Sequence, residues 1–237
     1  MLNKQTDHIV KSFDEELKHL NNIIAEMGGL AEAQLDRAVE SLVRRNSELA
    51  AQVVKDDKRI DDLETEVGQF TVRLLALRQP MAQDLREVVA AIKIASDIER
   101  IGDYAKNIAK RAIVLSGVAP MKPAASIPRM SRLALTIIKD VLDAYIAKDA
   151  EAARAAWRRD EEVDEMYNSV FREMLTYMME DPRNIGPCTH LLFIAKNIER
   201  IGDHATNVAE IVYYLVHGRD LTEERPKGDT TNVPIDG

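Results

Sequence analysis

Apolar residues recur at intervals of three and four along nearly the whole chain, the spacing that gathers them on one face of an α-helix. Ile9, Phe13, Leu17, Leu20, Ile24 and Met27 form the first such series. Gly28-Gly29 interrupts it, and Leu30, Ala31, Leu35, Ala38, Leu42 and Val43 resume it. The glycine pair therefore predicts a bend within one helix rather than a loop. Asn46 or Ser47 offers an N-cap to a second helix with the stripe Leu49, Val53, Ile60, Leu63, Val67, Phe70, Leu74 and Leu77. That helix stops before Pro80, because proline disfavours α geometry in the preceding residue. A third helix is expected from about Ala82 to Leu115. Ser126 is placed to cap a fourth, ending near Ala147, and Asp149 to cap a fifth, running to about Met179. A turn from Asp181 to Pro187 then leads into a sixth helix that reaches about Val216.

The internal stretch richest in proline and glycine, from Ser116 to Pro128, divides this series into three helices and three more. The two halves repeat each other. Ile94–Ala109 (IASDIERIGDYAKNIA) and Ile194–Ala209 (IAKNIERIGDHATNVA) are identical at eleven of sixteen positions, with the hexapeptide IERIGD unbroken. A weaker repeat pairs Asp57–Leu63 with Asp160–Met166. The expected fold is all-α: two tandem antiparallel three-helix bundles related by internal duplication. The expected boundaries are residues 1–116 and 128–217 for the bundles, 117–127 for the linker, and 218–237 for an aperiodic, mobile tail.

Composition agrees with this and narrows function. The 237 residues are 46% apolar and 30% charged but only 5% aromatic, which favours helices and rules out wholesale disorder. One cysteine, Cys188, excludes an internal disulfide framework and a cysteine-rich zinc site, and suits a reducing compartment. A net charge of −8 argues against a general binder of nucleic acid or anionic membrane. The N-terminus is charged throughout, with no apolar core of a signal peptide, and no apolar run reaches the roughly 18 residues a membrane span needs. A soluble, intracellular protein is expected.

Candidate chemistry lies beside the apolar seam of the third and sixth helices. Glu99, Asp103 and Asn107, and again Glu199, Asp203 and Asn207, are four residues apart and share one face. Asp57 and Asp61, then Asp160 and Asp164, repeat the theme on the second and fifth helices. In an antiparallel bundle each D-x-x-x-D pair can face an E-x-x-x-D pair. Four carboxylates would then converge in each half, an all-oxygen set suited to magnesium, calcium or manganese, or to carboxylate-bridged iron. The plainer reading of any one such pair is a solvated helical face; the duplication favours a site. Gly102 and Gly202 sit inside these helices at a cost of about 1 kcal/mol against alanine, which implies close helix packing or ligand access. Glu16 and His19 form a single E-x-x-H, where a di-iron bundle needs two, and read as exposed surface. His204 points away from the carboxylates and reads as surface too, while Cys188 is a small filler in a turn. No phosphate-binding loop, nucleophile elbow or dinucleotide fingerprint occurs, so enzymatic activity has little support.

With IERIGDYAKNIA and IERIGDHATNVA in view, the chain resembles the PhoU family of regulators associated with phosphate-specific transport. The mark of that family is two copies of a signature close to E-R-I/L-G-D-x-x-x-N-I/V-A, here Glu99–Ala109 and Glu199–Ala209. The family's P-M-A-x-D-L-R segment also stands intact as Pro80–Arg86, whereas the second half has Pro182–Gly186 without the aspartate and arginine. The resemblance implies a spectrin-like stack of three-helix bundles. It also implies a non-enzymatic, cytoplasmic negative regulator of the phosphate-starvation response, a homodimer reaching the membrane only through partners. Those partners are the ATPase of the phosphate transporter and a sensor histidine kinase. It further implies metal clusters on the signature carboxylates, of iron, manganese, magnesium, calcium or zinc. Arg100 and Arg200 flank those carboxylates and suit either an ion pair within the helix or bidentate pairing with a partner, and Asp84 and Arg86 are further partner candidates. A ferritin-like oxidase and a metal-free helical scaffold are the alternatives.

Overall fold

In the computed structural model, residues 2–119 and 125–223 are described, with side chains from residue 13 onward. The helices are α1 (Leu2–Val43), α2 (Ser47–Asp56), α3 (Lys58–Arg78), α4 (Ala82–Ser116), α5 (Ser126–Ala147), α6 (Ala150–Arg158), α7 (Asp160–Glu180) and α8 (Ile185–His217). A 3-10 turn at Pro182–Asn184 precedes α8. No described helix is long and apolar enough to cross a membrane.

Local chemistry sets most of the boundaries. The Asn46 side chain accepts a hydrogen bond from the amide of Leu49 at 3.0 Å, and Asp149 accepts from the amides of Glu151 and Ala152 at 3.0 Å, satisfying first-turn donors of α2 and α6. Gln79, ahead of Pro80, ends α3 in the left-handed conformation. Helix α1 is unbroken through Gly28-Gly29: a Cβ on Gly28 would lie 2.5 Å from Leu142 of α5, whereas Gly29 faces open space. Ser126 is not a cap. It is the first helical residue of α5, and its hydroxyl donates to Glu173 at 3.0 Å. The expected turn at 181–187 is shorter, because α8 starts at Ile185 and buries Cys188 within it. Of the expected linker, residues 120–124 lie outside the described residues, as does the tail beyond 223.

The second and fifth helices of the sequence reading are each two helices. Backbone dihedrals stay helical at Asp57 and Arg159, but the turn tightens: the Ile60 amide donates to the Asp57 carbonyl at 2.9 Å, and the Arg159 amide to the Ala156 carbonyl at 3.1 Å. The apolar stripe keeps its three-and-four spacing across both bends, so periodicity alone does not reveal them.

In the first half α1 and α4 run parallel, as the contacts Asn21–Glu87 and Gln34–Gly102 require, and α3 is antiparallel to α1, as Arg78–Glu16 and Arg59–Glu26 require. The halves do not stand apart as separate bundles. Helix α4 packs antiparallel to α8 and α1 antiparallel to α5, and one continuous core runs through both halves, from Leu20 and Ile24 to Val212 and Leu215. Asp97 of α4 pairs with the His204 ring of α8 at 2.8 Å and accepts from Asn207 at 3.1 Å. Across the second junction, Tyr145 of α5 donates to Asn21 of α1 at 2.6 Å.

Candidate functional site

The two bends place the duplicated carboxylates. Each sets an aspartate, Asp57 or Asp160, at 2% exposure under the glycine of the signature helix. A Cβ on Gly202 would meet Asp160 Oδ1 at 2.6 Å, and one on Gly102 would meet Ile60 Cδ1 at 2.9 Å and Asp57 Oδ1 at 3.5 Å. The glycines therefore serve close approach of α3 to α4 and of α7 to α8, as their mid-helix cost implies.

In the first half, Asp57 and Asp103 meet through Lys106. The Lys106 ammonium donates to Asp57 Oδ2 and, at 2.8 Å, to Asp103 Oδ1. Gln34 of α1 donates to Asp57 Oδ1 at 2.8 Å and to the Gly102 carbonyl at 3.2 Å, tying three elements together. Burial pulls the Lys106 pKa down, but its hydrogen bonds and charge pairing with Asp103 and Asp57 outweigh that and raise it. Arg100 lies 3.6 Å from Glu99 and 3.7 Å from Asp103, long for ion pairs, and is 57% exposed. Burial pushes the Glu99 pKa up, and the nearby Asp103, Glu64 and Asp61 push it further. Asp61 is exposed yet also raised, by desolvation and by Asp57.

In the second half, Glu199 is buried, with 6% of its surface exposed. Lys196 donates to its Oε1 at 2.9 Å, and Oε2 is buried with no hydrogen-bond partner among the described residues. Desolvation raises the Glu199 pKa, and Asp203 and Asp164 add to the rise. Asp160, Asp164, Glu199 and Asp203 thus gather around the α7–α8 contact as their counterparts do around α3–α4. Among the described residues, no three acidic, histidine or cysteine side chains are already arranged as an ion site.

The other candidates fall elsewhere. Asp84 is exposed, while Arg86 is half-buried against Gly218 at the end of α8, its Nε buried without a hydrogen-bond partner among the described residues. Arg200 is exposed. Glu16 is half-buried in a forked pair with Arg78, at 2.8 and 3.0 Å, rather than free surface. His204, expected on the surface, is half-buried in the junction between halves, because α8 turns that face toward Asp97 of α4. Sequence reasoning missed Gln34 and Lys106; the lysine at position 106 against threonine at 206 was the available signal.

Residues 24–112 and 127–212 each match the PhoU domain family. A phosphate-specific transport system accessory protein PhoU homolog of Caulobacter vibrioides is 54% identical over 225 residues, 94% of this chain and 98% of the relative. A protein of the same description from Rhizobium meliloti is 53% identical over 227 residues, 95% of this chain and 96% of the relative. Among solved structures, PhoU from Pseudomonas aeruginosa superposes with a TM-score of 0.84 at 39% identity, covering 87% of this chain and all of that one. The phosphate transport system regulatory protein PhoU from Streptococcus pneumoniae does so at 0.82 and 29% identity, covering 88% and 99%. With the duplicated signature on α4 and α8 and this agreement over both repeats, the chain belongs to the PhoU family.

Proposed function

We propose that this chain is an accessory protein of phosphate-specific transport that acts by contact rather than by catalysis. In this reading it is a cytoplasmic negative regulator, a homodimer that bridges the transporter ATPase and a sensor histidine kinase and represses the starvation response when phosphate is plentiful. The observation that carries the reading is the match across both repeats to relatives described as phosphate-specific transport system accessory proteins. Exposure supports the reading: Arg100 and Arg200 stand on the solvent side of the signature helices beside the carboxylates, and with Arg100 held only by long contacts to Glu99 and Asp103, a planar guanidinium there suits forked pairing with a partner carboxylate.

The same reading gives the carboxylates a divalent cation, with manganese, iron, magnesium, calcium or zinc as candidates. The buried Glu199 oxygen without a hydrogen-bond partner, in an all-oxygen donor set, fits such an ion, and Asp160, Asp164, Glu199 and Asp203 would hold it. There it would supply positive charge that fixes α7 against α8.

The test is a phosphate-starvation reporter in cells carrying Arg100→Ala/Arg200→Ala. Expression in phosphate-rich medium, together with loss of transporter and kinase from pull-downs, is the expected result. A folded double variant that still represses fully places the contact surface elsewhere, with Asp84 the next position to change.

A further inference from the structure

The two signature segments, 94–109 and 194–209, differ at only five of sixteen positions, and two of the differences move a lysine. Position 106 is lysine where 206 is threonine; position 96 is serine where 196 is lysine. Lys106 occupies the space between the carboxylates, on Asp57 and Asp103 at once. Thr206 does nothing comparable, since its hydroxyl turns back to the Asp203 carbonyl at 2.7 Å. The other donor on Asp57 is also particular to the first half. The register that aligns the caps Asn46 and Asp149, and the bends Asp57 and Asp160, places the apolar Ile137 opposite Gln34.

Both oxygens of Asp57 and one of Asp103 are therefore taken by donors of the chain itself. An ammonium is a compact charge with three donors, and it satisfies two carboxylates in the way a small cation would. A divalent ion drawn to the same oxygens would meet that ammonium at contact range, and would bind only by expelling it. The first-half residues accordingly do not fit a metal ion while Lys106 is in place.

We propose that Lys106 is the resident cation of the first carboxylate cluster, so that a divalent ion is shut out of the first half while that lysine is in place. The proposal rests on reading the carboxylates as cation sites, but it is decided in variants that the second-half reading does not share.

Manganese(II) binding to the full chain, stripped with a chelator and then dialysed, is the test, read by electron paramagnetic resonance. Lys106→Thr should bind one more ion per chain than the unaltered protein, at least tenfold more tightly than any first-half binding in the latter. Adding Asp57→Asn should abolish the gain. Asp61→Asn/Glu99→Gln with Lys106 intact should leave manganese content unchanged. A folded Lys106→Thr variant with no gain overturns the proposal, and so does loss of ion from Asp61→Asn/Glu99→Gln. If Lys106→Thr does not fold, as seen by circular dichroism, the latter variant decides alone. Glu199→Gln/Asp203→Asn reports on the second half separately, and its failure to lose ion would overturn that reading and leave Lys106 unaffected.

Discussion

Asp57 and Asp160 occupy the same bend in the two halves, and each lies buried under a glycine of the following signature helix, yet the lysines of the two signature helices stand at different places. Around Asp57 the chain supplies Lys106 from α4 and Gln34 from α1. In the second half, the lysine shown on the signature helix stands a turn before Glu199 instead of a turn after the aspartate. A neighbouring ion pair shows a similar exchange. Arg37 pairs with Asp56 at 2.8 Å, and at the corresponding positions Asp140 pairs with Arg159 at 2.8 Å, the charges swapped. The duplication has kept the backbone device, bend under glycine, and let the countercharge wander. A side chain at either glycine would crowd the group packed beneath it, whereas a buried carboxylate can be compensated from any neighbouring helix.

The largest expected effect breaks the shared device. Gly202→Leu should cost about 3 kcal/mol in denaturant unfolding, the upper part of the overpacking range, because the new side chain drives directly into the buried Asp160 carboxylate. Gly102→Leu should cost less, since the nearest atom is the movable end of Ile60. Alanine sharpens the contrast: its helix propensity, better by about 1 kcal/mol, should leave Gly102→Ala near neutral and Gly202→Ala still destabilised. Equal costs in both halves would mean that the two contacts are equally tight.

Next is Lys106→Met, which strands Asp57 with Gln34 alone. Breaking a buried pair costs about 3–5 kcal/mol, and because the Lys106 side chain is 23% exposed the lower end, about 3 kcal/mol, is expected. Adding Asp57→Asn should recover part of it. Additive losses would show that lysine and aspartate do not act as a pair.

A smaller effect appears as pH dependence. Burial raises the folded-state pKa of Glu199 above its ordinary 4.5, so the folded chain holds that proton more tightly than the unfolded one. Stability from this group therefore falls as pH rises from 4.5 through the raised value; the loss is complete above that value and absent well below 4.5. Glu199→Gln should remove the loss and gain stability at neutral pH. Glu99→Gln should gain less, because Glu99 is only half-buried. The reverse order, from unfolding curves at several pH values, would contradict the burial contrast.

The smallest concerns the swapped pairs. Double-mutant cycles on Arg37–Asp56 and Asp140–Arg159 should each return about 0.2–1 kcal/mol, the range for such exposed pairs. Reversing one pair, Arg37→Asp/Asp56→Arg, should leave stability within about 0.5 kcal/mol.

By itself the sequence determined the helices, the break before Pro80, the caps at Asn46 and Asp149, and the duplication. All of these are local or repeated signals: a three-and-four stripe over many turns, a side chain bonding two or three residues ahead, a segment matching another of the same chain. Tertiary structure decided the rest. The bends at Asp57 and Arg159 keep helical dihedrals and leave the stripe undisturbed. Gln34 reaches Asp57 across 23 residues, Lys106 reaches it across 49, and His204 finds Asp97 across 107, which turns a surface residue into a junction between halves. Periodicity states which side of a helix is apolar; which polar residue meets which across helices is fixed only when all the faces are packed into one core.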